Sequence, residues 1–180
     1  MTAQHSSLAV GFPAVADAGA RVLVLGSLPG QKSLEMGQYY AQPRNAFWRI
    51  MGRLFGADPA LPYAQRLARL QAHGVAVWDV LAVAQRPGSL DSAIVASSMV
   101  SNDFSEFFAR YRGIGLICFN GNKAAELYRR KVLPTLAPRF AGLELRHLPS
   151  TSPAYAALAF EKKLARWSLA LGAADQKRNV

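Results

Sequence analysis

A chain of 180 residues with 51% hydrophobic content holds enough apolar material for one domain with a real core, and is too short for two comfortable ones. No apolar run reaches the length of a membrane span, and MTAQHSSLAVGFPAVADAG lacks a basic segment followed by a continuous apolar one, so neither a membrane helix nor a signal peptide is expected. A cytoplasmic, monomeric protein is the default expectation. The net charge of +10 and pI near 10.3 favour a polyanionic partner, nucleic acid foremost, over the plainer reading that Lys and Arg serve solubility alone.

The basic residues are spread along the chain and form no tail, so any basic surface has to be assembled by folding. A single cysteine, Cys118, excludes an intramolecular disulfide, and His5, His73 and His147 are too far apart to suggest a metal. No metal and no cofactor are expected.

Residues 1–20, rich in Ala, Ser and Gly, read as an N-terminal arm, and 21–172 as one domain followed by a frayed end over 173–180. The apolar run Val22 to Leu25 does not alternate and is bounded by Gly26 and Pro29, the pattern of a strand buried on both faces. The loop Gly26-Ser27-Leu28-Pro29-Gly30 leaves its carboxyl end. Asn45 can cap a helix running through Trp48, Ile50, Met51, Leu54 and Phe55, with Gly56 as its stop. A second helix is expected from about Tyr63 to His73.

A second buried strand, Val75 to Val80, delivers Trp78 and Asp79 near its end, and AVAQRPGSLDSAI follows as a loop. Asp103 and Glu106 are spaced as a capping box ahead of Phe107 and Phe108. A third strand, Ile114 to Phe119, closes with Asn120-Gly121-Asn122 at the start of a helix that runs to about Leu133. The fourth, Leu143 to Leu148, leads into Pro149-Ser150-Thr151-Ser152-Pro153 and a last helix carrying Phe160, Leu164, Trp167 and Leu171. Strands alternating with helices in this way make an α/β fold with a parallel sheet and helices on both faces.

In such a sheet the strand ends at Gly26, Asp79, Asn120 and Pro149 open on one edge, where ligands bind. The glycine loop matches neither a phosphate-cradling nor a dinucleotide fingerprint, which disfavours a nucleotide cofactor. Ser150, Thr151 and Ser152 bring hydroxyls and free backbone N–H groups to a presumed helix start, suited to a polymer phosphate, although a serine-rich N-cap has the same composition. Tyr40, with Tyr39, offers a stacking wall for a base or a core rim.

Taken together, GSLPG, QYYAQPRNAFWRIM, VWDVL, FNG and LPSTSPA resemble, in this order, the motifs of the uracil-DNA glycosylase superfamily, and most of all its hypoxanthine (deoxyinosine) branch. The resemblance spans about Arg21 to Phe160. It implies a three-layer α/β/α sandwich with a central four-stranded parallel sheet. It also implies a monofunctional DNA glycosylase of base excision repair, releasing hypoxanthine from damaged DNA and leaving an abasic site. A uracil or mixed-specificity glycosylase, and a noncatalytic nucleic-acid-binding member of the fold, are the alternatives.

Two positions depart from the other branches. Leu28 stands where they resemble one another in an Asp or Asn that directs water, and Leu148 where they carry a His or Asn that stabilises the departing base; His147 is one position away, on the opposite face of a strand. Either catalysis is lost or the water-directing role has moved, and the PxNxFW segment of the hypoxanthine branch makes Asn45 its natural bearer. By the same resemblance Tyr40 stacks on the flipped base, and Asp79 and Asn120 read its polar edge. Ser150, Thr151 and Ser152 grip phosphates with help from Lys32 and Arg44, and Tyr155 wedges into the gap. No lysine in the matching motifs is placed for an imine intermediate.

Overall fold

The computed structural model describes residues 8–176. His5, the first part of the expected arm and residues 177–180 of the expected frayed end lie outside the described residues. The strand β1 (Leu8–Val10) opens the described chain, followed by β2 (Val22–Gly26), α1 (Gln31–Met36), α2 (Phe47–Phe55), α3 (Tyr63–Ala72), β3 (Val75–Asp79) and β4 (Leu81–Gln85). Then come β5 (Val100–Ser101), α4 (Phe104–Arg110), β6 (Leu116–Asn120), α5 (Asn122–Leu127), α6 (Pro138–Ala141), β7 (Glu144–Leu148) and α7 (Phe160–Gln176).

The four expected strands, three of them apolar runs and the fourth the mixed segment Leu143 to Leu148, form one parallel sheet in the order β3-β2-β6-β7. Successive side chains of a strand point to opposite faces, so a run apolar at every position needs cover on both sides. Leu23, Leu25, Ala76, Trp78, Ile117 and Phe119 face one core, closed by Phe104, Phe107 and Phe108 of α4 and by Leu127 and Tyr128. Val22, Val24, Val75, Val77, Leu116 and Cys118 face the other, closed by Phe47, Ile50 and Met51 of α2, Leu70 of α3, and Trp167 and Leu171 of α7. The result is the expected α/β/α sandwich.

Chain direction accounts for which helix covers which face. From β2 the chain crosses to β3 on one side, then passes back to β6 and β7 on the other; right-handed crossovers in opposite senses place their helices on opposite faces. The reversal lies between β2 and β6, so a crevice opens beyond their carboxyl ends.

Local signals behave as their chemistry dictates. Gly56 ends α2 in the left-handed conformation at φ 68, and Asp103 Oδ1 accepts from the Glu106 amide at 2.9 Å ahead of α4. Several elements were not anticipated, β4 and α1 among them. The apolar stretch running on from β3 leaves the parallel sheet at Val80 and becomes β4, which pairs antiparallel with β1 on one side and β5 on the other. The short helix α1 follows Gly30 directly. The last helix, by contrast, begins at Phe160, well beyond Pro153, with turns between. It continues through Gln176, past the boundary expected at residue 172.

Candidate active site

A cavity of about 630 Å³ opens at the carboxyl edge of the sheet, lined by the glycine loop after β2, by Asp79, by Asn120 and by the segment Ser150 to Tyr155. It is built around a close approach. A Cβ on Gly26 would overlap Asp79 Oδ1 and stand 3.2 Å from Tyr40 Oη, so only glycine lets these two polar groups converge above β2.

Asp79 is 3% exposed, and among the described residues its Oδ2 has no hydrogen-bond partner; Tyr40 Oη is buried and has no partner within hydrogen-bond geometry among them, with the Asn120 side chain its polar neighbour. Unpaired buried polar atoms are rare because each forfeits its hydration without return. Burial is the main cause that raises the Asp79 pKa to about 7, with Asp91 adding repulsion and Arg86 partly opposing it. Near pH 7 the carboxyl is therefore divided between its protonated and ionised forms. Burial, and then the Asp79 charge, also push the Tyr40 phenol well above its ordinary value, which keeps it a donor.

Tyr39 and Tyr40 divide their work. Tyr39 is buried, donates to the Pro13 carbonyl at 3.2 Å and accepts at its own carbonyl from Trp48 Nε1 at 2.9 Å. Tyr40 then takes the left-handed conformation at φ 55, the sole non-glycine residue to do so among the described residues. Such a backbone costs about 1–3 kcal/mol and persists only where its surroundings impose it. Here it swings the second ring away from the core rim and onto Phe47, with centroids 3.9 Å apart and planes at 25°. One ring face is thus backed by Phe47 while the residue lines the cavity.

Asn45 also lines the cavity, just ahead of α2. Its Oδ1 accepts from the Phe47 amide at 3.0 Å, the cap-like bond expected from the sequence. That bond fixes the amide plane without exhausting it: among the described residues nothing accepts from Nδ2, and Oδ1 keeps a second lone pair. Capping and lining the site are compatible roles.

Asn120 and Thr151 are engaged with each other. Asn120 Nδ2 donates to Thr151 Oγ1 at 2.9 Å while Asn120 Oδ1 accepts from the Thr151 amide at 2.8 Å. This paired bond ties the end of β6 to the loop after β7. It corrects two expectations. Thr151 is 1% exposed and turned inward, so its hydroxyl is not offered to a phosphate, and the loop opens no helix because α7 starts later. Ser150 and Ser152 remain partly exposed, their hydroxyls accepting from the Ser152 and Ala154 amides at 3.2 Å.

Lys32 and Arg44 stand on the rim, exposed, with Lys32 Nζ 3.4 Å from Glu35. Tyr155 is 41% exposed at the same cavity, and its carbonyl accepts from Lys163 Nζ at 2.7 Å. Leu28 and Leu148 are each 6% exposed and belong to the two cores, so neither supplies a polar group. His147 is exposed, packs against Phe119 and lies outside the cavity lining, as strand alternation requires.

Arg86 was missed. It is 2% exposed, and its guanidinium donates to the carbonyls of Leu28, Pro29 and Gly88, with Nη1 3.9 Å from Asp91 Oδ1. Asp91 in turn accepts from Ser27 Oγ at 2.5 Å. Arg86 and Asp91 therefore hold the glycine loop in shape across more than fifty residues of sequence, a separation at which no motif or periodicity could announce the contact.

The site thus gathers a buried carboxyl, a tyrosine and an asparagine at the crevice of a parallel sheet, with Lys32 and Arg44 exposed on its rim. The sequence profile of the Uracil DNA glycosylase superfamily matches residues 12–171, and the chain belongs to that superfamily. Within it, the chain is 40% identical over 145 residues to the Hypoxanthine DNA glycosylase of Methanosarcina acetivorans, covering 80% of this chain and 86% of that protein. It is 38% identical over 117 residues to the Hypoxanthine DNA glycosylase of Methanosarcina barkeri, covering 64% and 73%. A solution NMR structure from Methanosarcina acetivorans, described as a candidate uracil DNA glycosylase, superposes with a TM-score of 0.77 at 34% identity, covering 94% of this chain and 99% of that one.

Proposed function

We propose that this protein is a monofunctional DNA glycosylase that removes hypoxanthine from deoxyinosine and leaves an abasic site for base excision repair. The observation that carries the reading is the convergence of two buried polar groups, the Asp79 carboxyl and Tyr40 Oη, over Gly26 in the cavity. The names of the two Methanosarcina relatives support the same substrate.

A base cannot reach such a cavity while stacked in a duplex, so the nucleotide is flipped out, at a cost of a few kcal/mol that a weakened lesion pair reduces. Tyr40, backed by Phe47, stacks on the purine. The protonated form of the Asp79 carboxyl donates toward an acceptor on its edge, O6 or N7. Adenine presents an amino donor where hypoxanthine presents O6, so donor would meet donor and the normal base is rejected. The engaged Asn120 serves chiefly to hold the loop of Thr151 against the base.

Asn45 positions the water. With its amide plane fixed by Phe47, the free lone pair of Oδ1 accepts from a water directed at C1′. The water oxygen bonds to C1′ as the C1′–N9 bond breaks, and the bond pair leaves with the purine. The charge gathering on the base is met by the donor that recognised it, which is where a neutral carboxyl contributes most. An amide is a poor base, so the water's proton passes to solvent after attack.

The test is single-turnover excision from otherwise identical duplexes containing deoxyinosine, deoxyuridine or only normal bases, read as abasic sites cleaved by hot alkali. Deoxyinosine is expected to react fastest, with no adduct trapped by borohydride. Faster release of uracil would overturn the substrate. Lesion duplex that is bound yet never converted would identify a noncatalytic binding protein, the reading that the apolar Leu28 and Leu148 favour.

A further inference from the structure

A second cavity, of about 340 Å³, lies at the amino edge of the sheet, where Ile114 stands two residues ahead of β6 and Leu143 directly ahead of β7. Strands rise about 3.3 Å per residue, so β6 holds it on the order of 15 Å from the crevice at the carboxyl edge. Its floor is the outer margin of the core beneath α4. Phe108 and Ile114 are buried, Tyr111, Phe140 and Leu143 are half-buried, and the rings of Phe108 and Phe140 stand 5.8 Å apart.

Two exposed arginines share this cavity. Arg112 Nε donates to the Ala109 carbonyl at 3.1 Å, which fixes the guanidinium at the end of α4 and leaves its terminal N–H groups free among the described residues. The Arg139 guanidinium lies 4.7 Å from the centroid of the Phe140 ring. Among the described residues no carboxylate pairs with either arginine, and Glu144, the acid next to Leu143, is engaged by Arg146 at 2.6 Å. No acidic or amide side chain is found among the described residues of the lining.

That combination selects among occupants. Reading a base edge takes amides or carboxyls, which the lining lacks, and a phosphate backbone carries no apolar group to fill the floor. A second copy of this chain, at +10, is repelled. Forked guanidiniums beside an apolar hollow match carboxylates that flank an apolar side chain.

We propose that this cavity docks an acidic peptide segment of a partner protein. One aromatic or aliphatic side chain of the segment is seated among Tyr111, Phe140 and Leu143, and its neighbouring carboxylates are gripped by Arg112 and Arg139. The inference stands apart from the glycosylase reading. Joined to it, a partner held at the amino edge leaves the base pocket at the carboxyl edge open.

The probe is a fluorescent peptide in which glutamates alternate with leucines and phenylalanines, tested beside one with its apolar residues changed to serine and one with glutamine for glutamate. Anisotropy with the full chain should show binding of the first and about tenfold or more weaker binding of each control, since both the anchor and the charges contribute. The double variant Arg112→Glu, Arg139→Glu should lose the first peptide to a similar degree, with unchanged melting temperature and unchanged excision from a deoxyinosine duplex. In amide NMR spectra the peptide should shift Tyr111, Ile114, Phe140 and Leu143, and the duplex Tyr40 and Asn45. Peptide shifts confined to Tyr40 and Asn45 would mean an acidic mimic at the other cavity and would overturn the proposal. Duplex shifts at Tyr111 and Phe140, with slower excision by the double variant, would make this a nucleic-acid surface instead. No binding, equal affinity for the controls, or a dimer that the double variant abolishes would equally overturn it.

Discussion

Gly26 and Asp79 lie side by side at the ends of adjacent parallel strands, and the Asp79 carboxylate fills the space that any side chain at position 26 would occupy. The pocket floor depends on that absence. A one-carbon addition there displaces the acid and crowds Tyr40 Oη.

Gly26→Ala is therefore expected to impair the site beyond its effect on folding. Overpacking destabilises by about 1–3 kcal/mol, whereas displacing a donor from the departing base should lower the single-turnover rate by about 10²-fold or more. Parallel melting curves and excision rates check this, and a rate that simply tracks the unfolded fraction would contradict it.

Asp79 gives the site a definite pH signature. Its folded pKa, raised to about 7, lies above the ordinary carboxyl value of 3.8, so the folded state binds the proton more tightly. Stability from this group is fully present at low pH and declines as pH rises between those two values. Activity that needs the protonated acid declines as pH rises through about 7. Asp79→Asn keeps a neutral donor and should retain part of the activity, lose the alkaline decline, and melt higher than wild type at pH 8. A pH–rate profile and melts at pH 5 and 8 provide the measurement.

Asn45 joins helix capping to the proposed water-holding role, and two substitutions separate them. Asn45→Ala should lower stability by about 1 kcal/mol through the lost cap. Its excision rate should fall by about 10²–10³-fold, with duplex binding nearly intact. Asn45→Asp retains the oxygen that accepts from Phe47, so it should melt close to wild type. Alanine activity equal to wild type would remove Asn45 from the chemistry.

Arg86 should behave as a positioning residue. Arg86→Met removes the donor shared by three loop carbonyls and leaves Asp91 without its cation. Each buried group left unpaired costs about 1–3 kcal/mol, so the melting temperature should fall by roughly 5–10 °C. The loop that it holds carries no polar catalytic side chain, so KM should rise more than kcat falls. The opposite split, kcat lost with KM unchanged, would assign Arg86 to the reaction itself.

The sequence by itself determined the sheet and its two cores, because Val22 to Leu25, Val75 to Val80 and Leu116 to Phe119 are apolar at every position and only cover on both faces accommodates such runs. It also marked the edge where Gly26, Asp79 and Asn120 gather, and the helix start at Asn45, since strand ends and caps are local properties. What it could not express were relations between distant segments. The departure of β4 into a second sheet depends on partners in β1 and β5, and the inward turn of Thr151 on the side chain of Asn120. Arg86, an arginine at the end of an apolar run, acquires its role through carbonyls of the glycine loop. Only the tertiary structure decided that Asp79 and Tyr40 would meet over a glycine. Burial is a property of the assembled fold, and it is burial that raises an ordinary aspartate until it titrates at about 7.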